Sequence, residues 1–147
     1  MDLLTIALGL APLLVGVVEN YLFTLVGEQW PILFQPILLF PVPCLAAWGY
    51  AAYRLMRKGK KLPWIVVGMN LIAVADFLLI AYQEQILHAY WGNIAGALTQ
   101  FYFLPILTLG SYLGNLVFVK TMIWDYLICL LLMIAATFAG CLAAKKK

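Results

Sequence analysis

The sequence predicts an all-α bundle of membrane-spanning helices, and three observations carry that prediction. The first is composition: 66% of the 147 residues are hydrophobic and only 10% are charged. Soluble domains run at about a quarter charged and about half apolar, so these charges are too few to dress the chain for water. The second is the presence of five apolar stretches, 3–26, 31–56, 62–82, 93–119 and 122–144. Each meets the about 20 residues that a spanning helix needs. The third is the brevity of the connectors, "GEQW", "RKGKK", "QEQILHAYWG" and "KT". Short connectors make neighbouring helices antiparallel and leave no room for a linker, so residues 1–147 form a single integral membrane domain. The expected architecture is five transmembrane helices. The alternative is four, with a re-entrant hairpin at 93–119.

The first stretch lacks a basic leader and exceeds a typical signal core, so it is expected to remain as a helix. Along it Thr5, Gly9, Pro12, Gly16, Glu19 or Asn20, and Thr24 recur every three or four residues. That is a stripe of small and polar side chains opposite a face of Leu, Ile and Val. Small residues let helices approach, and polar ones turn away from lipid.

The second stretch carries Pro31, Pro36, Pro41 and Pro43. Each proline removes a backbone donor and clashes with the preceding turn, which predicts a kinked or partly unwound helix over "QPILLFPVPC". Lipid cannot satisfy the freed carbonyls, so this part should face protein or a wet cavity.

The third stretch contains "NLIAVADFLLIAYQE", residues 70–84, with Asp76 near its middle. Asp76 shares a helical face with Met69, Ala73 and Gln83, and Asn70 lies about 120° round. In the fourth, Asn93, Gly96, Gln100, Ser111 and Asn115 fall near one face on either side of Pro105. The same stretch holds two G-x-x-x-G pairs, Gly92/Gly96 and Gly110/Gly114. Such pairs permit close helix packing within the chain, or association with a second copy or a larger membrane complex. The last stretch opens at Asp125, where a carboxylate suits the positive end of the helix dipole.

Positive charge sets the orientation. Arg54, Arg57, Lys58, Lys60 and Lys61 place loop 57–61 in the cytoplasm. Five spans then leave six basic residues inside, counting Lys120, and Lys145, Lys146 and Lys147 outside. A re-entrant 93–119 brings both termini inside and makes the count eight against one. The tryptophans argue for five spans: Trp30 and Trp91 then mark the outer interface, and Trp64 and Trp124 the inner one.

The candidate site follows from depth. Glu19 and Asp76 stand about 24 Å and about 20 Å from the inner ends of their helices. Gln35 and Gln100 lie about 6 Å and about 10 Å below the outer ends of theirs, and Asn20 adjoins Glu19. These residues, with Asn70, are expected to line a polar, acidic cavity in the outer half of the bilayer. No lysine or arginine lies between Leu62 and Val119 to neutralise Asp76. The acids must therefore be protonated, bonded to amides, hydrated, or matched by a bound ligand. Ionisable groups at such depth default to a functional hypothesis. In the competing architectural reading, Asp76 stays neutral on Asn70 or a carbonyl, and Glu19 reaches the headgroups.

Several chemistries are set aside. Cys44, Cys129 and Cys141 are odd in number and lack metal or disulfide spacing, so they read as buried thiols. There is one histidine, His88, and no H-E-x-x-H, and Ser111 lies at a different depth from His88. No catalytic residue, metal or cofactor is expected. The basic residues sit in three places along the chain and form no nucleic-acid face. Tyr50, Tyr53, Tyr82, Tyr90 and Tyr112 lie near segment ends and suit an interfacial belt. Three function classes remain. The leading one binds or transports a small cationic or neutral polar solute, with proton coupling in scope. The second is an accessory or regulatory subunit of a larger membrane complex. The third is an intramembrane enzyme acting on lipid or peptide.

Overall fold

The computed structural model describes residues 3–27, 40–116 and 121–145, and among these every regular element is helical. Helix α1 spans Leu3–Leu8 and α2 spans Ala11–Leu22, followed by a π-helical turn at Phe23–Gly27. The break at residues 9–10 has a local cause. Pro12 lacks the N–H that would bond the Leu8 carbonyl, and it is tolerated only because it sits in the first turn of α2.

Helix α3 runs Pro41–Arg57 and begins, rather than bends, at its prolines. The N–H groups of a first turn have no helical partner anyway, so Pro41 and Pro43 start the helix without strain. The predicted kink at these two positions is thus a helix start, while Pro31 and Pro36 lie outside the described residues. Gly59, with φ of +80°, turns the chain at the end of α3, and the Lys60 amide bonds back to the Leu55 carbonyl. Helix α4 covers Leu62–Gln85, α5 covers Ile94–Leu116 straight through Pro105, and α6 covers Met122–Lys145.

Helix directions depart from simple alternation. A Cβ on Gly140 would collide with the Gly49 backbone, and the Cys141 thiol lies 4.0 Å from the Ala52 carbonyl. Nearer the helix starts, Met133 meets Cys44 and Leu45 around one cavity. Both helices advance together along these contacts, so α3 and α6 run in the same direction. Helix α4 runs against them. Asn70 in its first half bonds Thr137 late in α6, while Asp76 and Glu84 in its second half share the electrostatic surroundings of Tyr126 early in α6. Helix α4 therefore ends, and α6 begins, at the same end of the bundle. A five-span alternation requires α3 and α6 to be opposed, whereas their successive contacts, from Cys44 and Met133 to Ala52 and Cys141, run parallel.

Among the described residues, four helical stretches are long and apolar enough to cross a membrane: Leu3–Leu25, Leu62–Gln85, Ile94–Leu116 and Met122–Lys145. This is the make-up of a multi-pass helical membrane protein. The described part of α3 has 17 residues, just under spanning length. Outward faces are apolar, with Leu14, Leu78 and Leu131 more than half exposed. The core is aromatic at its centre: Phe103 meets Tyr102 and Tyr126 edge-on at 5.2 and 5.7 Å between ring centroids.

Candidate functional site

Glu19 stands in the last turn of α2, half-buried, on the side facing the start of α3. Its electrostatic neighbour is the Cys44 thiol in the first turn of α3, and its Oε2 is buried without a hydrogen-bond partner. Asp76 is half-buried in the second half of α4, within electrostatic reach of the Tyr102 and Tyr126 hydroxyls. Its Oδ2 likewise has no partner. Buried polar atoms are normally bonded, so two orphaned carboxylate oxygens in one small bundle call for an explanation. Cys44 is thus the group linked to Glu19, and Tyr102 and Tyr126 are those linked to Asp76.

Between those surroundings lies a cavity of about 260 Å³. Leu8, Ala11, Pro12 and Val15 line it from the first segment, and Cys44, Leu45, Ala47, Trp48 and Ala51 from α3. Tyr102, Pro105 and Ile106 of α5, with Met133 of α6, close it. Cys44 on its wall is within electrostatic reach of Glu19, and Tyr102 on its wall within that of Asp76. The space is thus apolar and aromatic, with an acid behind each of two wall residues. Trp48 adds an indole Nε1 that is buried and unpartnered. Tyr102 is fixed in place because its hydroxyl donates 2.8 Å to the Gly9 carbonyl at the break between α1 and α2.

None of the five predicted residues that are described, Glu19, Asn20, Asn70, Asp76 and Gln100, lines this cavity. Asn70 is instead a pin between helices, its Nδ2 donating 2.9 Å to Val66 O and 3.2 Å to Thr137 Oγ1. Asn20 is half-buried beside Glu19, and its carbonyl accepts from Thr24 Oγ1 at 2.9 Å. Gln100 is half-buried in α5, and Gln35 lies outside the described residues. Three of the four paired glycines meet the chain's own atoms. A Cβ on Gly110 or Gly114 would meet Asp125 of α6, a Cβ on Gly96 would meet Trp91, and Gly92 faces open space.

The residues that sequence reasoning passed over are Cys44, Trp48, Tyr102 and Tyr126. A signal for Tyr102 was present, since it lies well inside an apolar segment and away from the ends where a belt would put it, whereas Tyr126 stands in the first two turns of the last segment. Glu84 and Asp125 also belong nearer the site than a loop or dipole role implies, since both join Asp76 around Tyr126. Glu84 Oε2 accepts a 2.7 Å bond from the Tyr90 hydroxyl in the connector after α4. Burial first, and then that bond, hold the Tyr90 phenol above its usual range. No group of three or more metal-ligating side chains occurs among the described residues. Comparison with known family models, curated proteins and solved structures returns no match.

Proposed function

We propose that this protein binds, and moves across the bilayer, a small solute with an apolar body and a cationic head. One observation carries the reading: an apolar, aromatic cavity stands between two half-buried carboxylates whose buried oxygens lack partners. An apolar wall holds the body. The faces of Trp48 and Tyr102 attract a cation, at about 0.5–2 kcal/mol per ring. Glu19 and Asp76 supply the counter-charge behind the wall, so an anion would be repelled. At about 260 Å³ the space lies below the roughly 300–1,000 Å³ of drug-sized pockets, which points to a fragment-sized solute.

In this reading the four full spans are the first segment, α3, α4 and α6, both termini share the cytoplasmic side with loop 57–61, and α5, although long enough to cross, is not one of the spans. Support comes from the parallel pairing of α3 and α6 and from the eight-to-one distribution of basic residues. The accessory-subunit reading gains nothing from the glycine pairs, because Gly96, Gly110 and Gly114 already meet the chain's own atoms.

Phenyltrimethylammonium and its neutral isostere tert-butylbenzene test the proposal, because they share a shape and differ in charge. The purified chain should bind the cation in preference to the isostere. Asp76→Asn or Glu19→Gln should each weaken the cation about tenfold, or about 1.4 kcal/mol, and leave the isostere unchanged. Equal binding of the two probes by the wild-type chain, or cation binding indifferent to both substitutions, would overturn it.

A further inference from the structure

The parallel pairing of α3 and α6 gathers the basic residues that are described at one end. Arg54, Arg57, Lys58 and Lys61 are exposed at the end of α3 and in the turn after it, and Lys145 is exposed at the end of α6. Ala52 and Cys141 lie side by side, and four further residues along each parallel helix advance both by about 6 Å. Lys145 thus comes level with the last turn of α3. The acids described in the structure, Glu19, Asp76, Glu84 and Asp125, all belong to the opposite part of the bundle. At the basic end the described residues hold no carboxylate.

This end is also pre-arranged. The Arg54 guanidinium donates 2.9 Å to the Tyr50 hydroxyl and sits 5.7 Å above the Tyr50 ring, which fixes its position and leaves other N–H groups free to donate. Gly59 and the bond from Lys60 to Leu55 hold the turn that presents Lys58 and Lys61. Offsetting helix dipoles does not account for so many cations, since each helix C-terminus is equivalent to about half a negative charge. The patch lies where apolar helices end, at headgroup level. Clusters of about four to eight basic residues in that position suit anionic lipid.

We infer that the ends of α3 and α6, with the turn at 58–61, form one binding site for the phosphate headgroup of an anionic phospholipid. The site is separate from the cavity and does not depend on the solute proposed for it.

The test uses the full chain in neutral detergent, with native mass spectrometry and thermal melting as readouts. The probes are phosphatidylglycerol, phosphatidylcholine and inorganic phosphate. Phosphatidylglycerol should be retained and should raise the melting temperature, while the other two do neither. Arg57→Gln, Lys58→Gln and Lys145→Gln should each lower phosphatidylglycerol affinity about five-fold, the factor set by roughly 1 kcal/mol per basic residue near an anionic surface. Lys58→Arg together with Lys61→Arg keeps the charge and should retain the lipid, which separates loss of charge from loss of fold. Equal retention of phosphatidylcholine overturns the inference, as does full displacement of lipid by inorganic phosphate. A Lys145→Gln chain that binds like wild type also overturns it, because α6 would then be no part of the site.

Discussion

The two ends of this bundle carry opposite charge under opposite conditions. At one end the cations stand exposed at the ends of α3 and α6 and in the turn after α3. In the other half, acids sit within apolar helices, half-buried, with orphaned oxygens on Glu19 and Asp76. Exposed cations at an interface need no special partner. Carboxylates drawn into an apolar bundle do, and that asymmetry locates the candidate chemistry in the acidic half. The contrast depends on the direction of one helix. Had α6 run against α3, Lys145 would join the acids and Asp125 would join the loop cations.

The sharpest way to break the comparison is therefore topological, and its outcome is all-or-none. Lys58→Cys and Lys145→Cys, made singly and probed with a membrane-impermeant maleimide in sealed, oriented vesicles, should label from the same side. Tyr90→Cys, in the connector after α4, should label from the other. Labelling of positions 58 and 145 from opposite sides would dissolve the basic end and restore the five-span order.

Next in size is the seam that holds α6 parallel. The Gly49 backbone occupies the place where Gly140 would carry a Cβ. Gly140→Leu forces two helix backbones apart, and overpacking of that kind destabilises by about 1–3 kcal/mol or more. The expected result is a large drop in melting temperature with loss of both cation and phosphatidylglycerol binding. A Gly140→Leu chain of wild-type stability would mean that the seam is not where α3 and α6 meet.

Much of the architecture could be read from composition alone, because apolar length, proline position and charge placement act locally. The ends of α4, α5 and α6 fall within a few residues of the expected boundaries. Helix direction was less legible. Trp64 and Trp124 were assigned to one interface, yet they begin α4 and α6, which run oppositely. Tryptophan marks an interface but does not say which one. Residue depth, through the fixed rise per residue, speaks only to which half of the bundle Glu19 and Asp76 occupy. It could not give their neighbours. Those depend on rotation and pairing, and so the wall residues Cys44, Trp48 and Tyr102 escaped a reading that looked for polar types. Asn70 shows the converse case, a polar residue whose amide bonds Val66 and Thr137.

That last distinction gives the smallest effect and the finest test. Asn70 Nδ2 makes one bond across to Thr137 Oγ1 at 3.2 Å, and its own Oδ1 is buried without a partner. Side-chain hydrogen bonds between helices in membranes average only about 0.6 kcal/mol. Asn70→Leu gives up that bond and removes the orphaned oxygen as well, so stability should move by less than about 1 kcal/mol. Thr137→Val should behave alike, and the double variant should recover a coupling near 0.6 kcal/mol in a mutant cycle. Phenyltrimethylammonium affinity should stay at the wild-type value throughout, because Asn70 belongs to the seam between α4 and α6, outside the cavity wall. If Asn70→Leu instead melts normally and no longer binds the cation, the site reaches that seam. The acid behind Tyr102 would then act together with an amide one and a half turns below it on the same helix.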